Sequence, residues 1–202
     1  MAEGGIAIIR DHAKEGLGVR EQFFNEQAAQ IDNAALLTAK RLIRGGCVFL
    51  CGNGGSAADC QHVAGEFVNR FLIDRPALPA LALTTDSSVL TAIANDSDYT
   101  KVFARQVEAF AKKDDVLFAI STSGNSPNVL EALKVAAHKG LLTICLTGQG
   151  GGKAQGCADI VLAVPSAKTP IIQEVHLACE HLYCQLVDYY LFENVTALTR
   201  EG

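Results

Sequence analysis

His62 and Glu66 stand four residues apart in a stretch of helical composition running from Ala57 to Asn69, so both side chains leave that helix on one face. Gln173 and His181, eight apart in a long C-terminal helical segment, lie about 80° apart around their own axis and also share a face. A carboxylate beside an imidazole can move protons near neutral pH. Two nitrogens and two oxygens that converge can also hold a divalent ion such as Zn²⁺. Spacing alone leaves a plainer arrangement open: an exposed His/Glu pair on one helix and an unrelated core histidine on the other.

Two loops have the composition of anion cradles. Cys51-Gly52-Asn53-Gly54-Gly55-Ser56 follows an apolar run and precedes the helix bearing His62, with Ser56 suited to its N-cap. It is no P-loop, because the terminal Gly-Lys-Ser/Thr is missing. The match of Gly52, Gly54 and Ala57 to a dinucleotide fingerprint is weak, since the nearest acid after the second strand, Asp86, comes far too late. Ser121-Thr122-Ser123-Gly124-Asn125-Ser126-Pro127 is more telling. Pro127 suits the first position of a helix and Ser126 its cap, and four hydroxyls in six residues exceed what capping needs. Hydroxyls and backbone N–H groups around a helix N-terminus can hold a phosphate monoester without lysine.

The remaining histidines read as structural. His138 ends a helix, where a cation complements the dipole; His12 is expected to be solvated; His176, five residues before His181, points away from that residue's face. Arg70 and Lys153 are within possible reach of a substrate. Cys51 closes a buried strand and need not be a nucleophile.

The elements that must position these residues follow from the hydropathy pattern. Short, nearly continuous apolar runs at 47–51, 80–83, 116–120, 142–146 and 160–164 suit strands buried on both faces, with helical stretches between most of them. This is an α/β pattern: a three-layer αβα sandwich around a five-stranded parallel sheet of flavodoxin-like type, with ligands at the carboxyl ends of the strands. Residues 6–44 have helical spacing and predict two helices meeting near Asp32, with Gly16 and Gly18 weakening the first. Ile171 to Phe192 predicts one long helix.

The chain has 202 residues, 49% of them apolar. That suffices for one core burying roughly 70% of the unfolded surface, and no linker or repeat divides it. We expect a single domain over 1–202, in which 1–45 are N-terminal helices used in oligomerisation and 46–202 are the α/β core. A net charge of −5 without Lys/Arg runs argues against nucleic acid as a partner. No apolar run reaches the roughly 18 residues of a membrane span, and no signal-peptide core opens the chain. Seven cysteines without paired C-x-x-C spacing suit buried thiols in a reducing compartment, so the cytoplasm is expected.

Taken together, the Cys51–Ser56 loop, His62-x-x-x-Glu66, Ala94-Asn95-Asp96, the Ser121–Ser126 loop, Leu146-Thr147-Gly148 and Gln173-Glu174-x-His176 followed by His181 resemble the sugar isomerase (SIS) domain family. Within it, the likeness is to the isomerases of sedoheptulose 7-phosphate, over nearly the whole chain. The resemblance implies that Ser121, Thr122, Ser123 and Ser126 hold the sugar phosphate. It also implies that Asn53, Gly54, Gly55, Asn95 and Asp96 contact substrate, as Glu66 and Gln173 do. His62, Glu66, Gln173 and His181 would bind one zinc ion per subunit, in a homotetramer whose active sites lie between subunits. A non-catalytic relative that associates with a replication initiator is similar through Leu90–Asp96 and Lys101–Ala109 but lacks the acidic and second histidine positions. Glu66 and His181 therefore favour the enzyme. Ala57 and Gly65 stand where polar or acidic residues often occur in the family. The reaction implied moves a proton between C1 and C2 through an enediol, with Glu66 as base and His181 as its acid/base partner.

Overall fold

The apolar runs form the strands they predict. In the computed structural model, which describes residues 2–199, β1 (Val48–Gly52), β2 (Ala80–Ala82), β3 (Val116–Ser121), β4 (Leu142–Thr147) and β5 (Ile160–Ala163) make one parallel sheet. The order is β2-β1-β3-β4-β5, the flavodoxin-like arrangement. The three central strands are buried throughout, and the partly exposed strands β2 and β5 are the edges.

Alternation along the strands feeds two cores. Val48, Leu50, Phe118, Ile120, Ile144 and Leu146 face a layer made by α1 (Ala2–Leu42), α2 (Gly55–Val68) and α6 (Thr169–Asp188). Phe49, Cys51, Leu117, Ala119 and Cys145 face the other layer, built from α3 (Ser87–Asp96), α4 (Ala104–Phe110) and α5 (Pro127–His138). The helix after β1 therefore covers one face and the helix after β3, its neighbour in the sheet, covers the other. That reversal opens a crevice at the carboxyl ends of β1 and β3, where ligands bind in open α/β sheets.

The N-terminal segment differs from the expected pair of helices. α1 is one helix of 41 residues that runs straight through Asp32. Its buried positions Phe23, Ile31, Ala34, Ala35, Thr38, Ala39 and Leu42 keep helical spacing across that point, so packing against α6 holds both halves on one axis. Asp32 accepts a hydrogen bond from Tyr190, and Thr38 bonds the Tyr183 hydroxyl at 2.6 Å. Gly16 is where α1 runs close to α6: a Cβ there would lie 3.3 Å from the Glu174 carboxylate. Upstream, Ile6, Ile8 and Ile9 are uncovered, as is Leu17. α6 also departs from expectation, beginning at Thr169 and passing into a π-helical turn over Tyr189–Glu193.

All seven cysteines are free thiols. Burial pushes the Cys51 thiol up, which agrees with a structural role. No helix among the described residues is long and apolar enough to cross a membrane.

Candidate active site

α2 and α6 lie side by side on one face of the sheet, and their facing sides bring three of the expected residues together. The Nε2 atoms of His62 and His181 are 2.8 Å apart, and His62 Nε2 lies 3.6 Å from a Glu66 carboxylate oxygen. One ligand atom from each of the three falls within 4.8 Å of the others. The His181 ring is stacked on Phe71 at 5.5 Å between centroids and meets His62 edge to face, so its plane is fixed. Sequence spacing gives no hint of Phe71, which lies beyond the end of α2.

The donor set suits a zinc ion. Four-coordinate zinc with ligands at 2.0–2.2 Å places neighbouring ligand atoms about 3.3 Å apart, and two imidazole nitrogens with a carboxylate are typical donors. The observed spacings bracket that value. Gln173, the fourth expected ligand, comes to α2 near its start: its amide lies against Gly55, and a side chain at position 55 would collide with it. Gly55 is about two turns before His62 along the helix.

Gly54, with φ of 58°, takes the N-cap position of α2, and Ser56 is buried in the first turn, so Ser56 is not the cap its type suggested. A positive φ favours glycine over any residue carrying a Cβ. Asn53, just before it, is held by a reciprocal amide pair with Asn128 at 2.9 and 2.8 Å, which ties the β1–α2 loop to the first turn of α5. Asn128 is a second residue that the sequence did not single out.

The hydroxyl loop occupies the expected end of β3. Ser126 sits at the N-cap of α5, but its hydroxyl makes no capping bond and pairs with Ser121 Oγ at 3.0 Å. The Ser123 hydroxyl accepts from the Asn125 backbone at 3.1 Å, and Gly124 turns the chain with φ of 62° where the backbone of Gly151 passes too close for a side chain. A cavity of about 270 Å³ beside this loop is lined by Thr122, Ser123, Gln149 and Ser166. Asn95 and Asp96 lie at the exposed end of α3, paired with each other at 2.8 Å, and Asp96 lines a different cavity with Lys101 and Arg105. A cavity of about 440 Å³ between α1 and β5 contains none of the expected residues.

Other titratable groups sort by burial. His176 is fully buried and donates from Nε2 to the Thr147 carbonyl at 3.0 Å; burial pushes its pKa down to about 4, so it is a neutral packing group. His12 is not simply solvated: it pairs with Glu174 at 2.6 Å and links α1 to α6. His138 ends α5 as expected. Arg70 is exposed, and Lys153 donates its backbone N–H to Asn125 beside the hydroxyl loop.

Glu180, next to His181, is fully buried, with neither carboxylate oxygen hydrogen-bonded. Burial, and secondly the charge of Asp59, push its pKa up to about 8. A carboxyl whose pKa is raised on folding costs stability as pH climbs from its unfolded value, about 4.5, through 8. Glu180→Gln in chelator-treated protein is therefore expected to match wild type near pH 4.5 and to melt several degrees higher at pH 8.5. Parallel pH–Tm curves for the two proteins would contradict this.

A model of the SIS domain family matches residues 12–148. The phosphoheptose isomerase of Desulfovibrio desulfuricans is 59% identical over 198 residues, covering 98% of this chain and 94% of the relative. That of Solidesulfovibrio magneticus is 54% identical over 98% of this chain and 97% of its own. Among solved structures, the phosphoheptose isomerase of Francisella tularensis superposes with a TM-score of 0.88 at 36% identity, over 91% of this chain and 98% of that one. The Neisseria gonorrhoeae protein gives 0.85 at 39% identity over 93% and 99%.

Proposed function

Since the chain belongs to the phosphoheptose isomerases of the SIS domain family and is an isomerase, we propose that it converts sedoheptulose 7-phosphate to D-glycero-D-manno-heptose 7-phosphate, with Glu66 and His181 as its acid/base pair. The observation that carries this assignment of roles is the meeting of a carboxylate from α2 with an imidazole from α6.

Aldose–ketose isomerisation requires a proton to leave C1 and arrive at C2, and another to pass between the two oxygens. Glu66 takes and returns the carbon-bound proton. His181, its ring held by Phe71, serves the oxygens as acid and base. His62, Glu66, Gln173 and His181 are the residues that would hold one zinc ion per subunit. When bound there, the ion supplies Lewis-acid polarisation of the substrate carbonyl. Ser121, Thr122, Ser123 and Ser126 grip the phosphate. Asn53, Gly54 and Gly55 border the sugar between these ends, and Asn95 and Asp96 reach it from α3. The uncovered apolar residues of α1, within the 1–45 segment, suit packing against other subunits, and a cytoplasmic homotetramer with sites near subunit boundaries is the assembly we favour. The presence of both Glu66 and His181 weighs against the non-catalytic, initiator-associating reading.

Purified protein incubated with sedoheptulose 7-phosphate is expected to form the aldose, to lose that activity on prolonged chelation and to regain it with zinc. Binding of the sugar phosphate without turnover, in zinc-supplemented protein, would remove the catalytic reading. Full activity after complete demetallation would remove the metal.

A further inference from the structure

Arg75 lies in the connection from α2 to β2, outside every motif, and its side chain is only 2% exposed. Its guanidinium donates from Nη2 to the backbone carbonyl of Glu66 at 2.9 Å and from Nη1 to those of Phe67 at 2.7 Å and Pro76 at 3.1 Å. Nε donates to Asp188 at 2.8 Å, and that carboxylate, in the last residue of α6, is 5% exposed.

The carbonyls of Glu66 and Phe67 belong to the last turn of α2, whose oxygens have no partner within the helix. A cation there also suits the helix dipole. α2 carries His62 and Glu66, and α6 carries His181. Apart from the His62–His181 pair and the Gln173 amide against Gly55, the two helices meet through apolar contacts such as Phe67 against Tyr183, which tolerate sliding and small rotations. A planar fork with fixed donor directions does not. Stability alone does not call for such a pair, because buried ion pairs are often matched by apolar residues of similar volume.

We propose that Arg75, held by Asp188, is a positioning residue that locks the last turn of α2 to the end of α6 and so sets the spacing of Glu66 from His181. This rests on the reading of His62, Glu66 and His181 as the metal-binding, proton-transferring cluster. Arg75 is nine or more residues from each of them in sequence and acts on Glu66 through its backbone.

The test compares wild type, the double variant Arg75→Met/Asp188→Leu and the single variant Asp188→Asn, each measured for thermal midpoint, zinc affinity by competition with a chromogenic chelator, and kcat and KM. The double variant leaves no orphaned charge but removes a donor from the Glu66 carbonyl, so it is expected to stay folded and to melt a few degrees below wild type. It should hold zinc about 10- to 100-fold more weakly, with a comparable fall in kcat and little change in KM, since the phosphate loop lies on the other layer. Asp188→Asn, which keeps the shape and one acceptor, should move zinc affinity and kcat the same way but less. Folded variants with wild-type zinc affinity and kcat would overturn the proposal, and if the double variant fails to fold, Asp188→Asn decides it by the same measurements. Wild-type protein that holds no zinc would remove the metal reading, and kcat alone would then decide for or against Arg75.

Discussion

Glu66→Gln is expected to lower kcat for isomerisation by about 10²- to 10⁴-fold while the protein keeps its fold. The substitution retains the size of the side chain and its place four residues from His62, and exchanges a proton acceptor for an amide. Glu66 is only partly exposed, and its backbone carbonyl is fixed by Arg75, so the new side chain has little freedom to move elsewhere. Substrate affinity should change far less than turnover, because the proposed phosphate grip lies at the end of β3 and in the loop before α5, away from Glu66. Two measurements separate the explanations of a loss. If the variant holds zinc as wild type does and still fails to turn over, the carboxylate is the base; if zinc is lost in proportion to activity, its main task is ligation. Near-wild-type turnover would take Glu66 out of the mechanism.

The second large effect is expected from the substrate side. Sedoheptulose lacking its phosphate should lose at least about 10²-fold in kcat as well as binding more weakly. On the proposed reading the hydroxyl loop at the end of β3 holds the phosphate while Glu66 and His181 handle C1 and C2, so a substrate anchored through its phosphate has those carbons oriented and one without it does not. Removing the anchor therefore costs orientation in addition to contact energy. Ser121→Ala, which breaks the Ser121–Ser126 hydroxyl pair, should reproduce part of that loss with the natural substrate. A dephosphorylated sugar turned over at saturation as fast as sedoheptulose 7-phosphate would show that the loop does no positioning.

The sheet was the most legible part of the sequence, because a strand buried on both faces must be written as an unbroken apolar run, and the five runs match the five strands closely. The meeting of His62, Glu66 and His181 could be framed from helical spacing but not established by it. It depends on α2 and α6 packing side by side, which is a property of the whole topology. Helix ends were read less well. Ser56 and Ser126 both look like N-caps, yet Gly54 takes one position through its backbone geometry and the Ser126 hydroxyl turns to Ser121. The break expected near Asp32 failed because polar residues there interrupt the pattern only on the exposed side, while the buried stripe of α1 continues. Phe71, Asn128 and Arg75 were not legible. Each acts through specific contacts with a residue distant in the chain or with backbone, and such contacts leave no periodic trace. Glu180 stands beside His181 in the sequence, but only its complete burial distinguishes it from an ordinary helix acid.

The helices that follow β1 and β3 cover opposite faces of the sheet, and on the proposed reading this would let the chain act as a ruler. The phosphate grip on the loop after β3 and the proton-handling groups on α2 and α6 are then written in separate segments of the chain, so the length of sugar accepted would depend on the spacing between those segments. A descendant of this chain could come to prefer a shorter or longer phosphosugar by lengthening or trimming one loop, with the proton-handling groups left untouched.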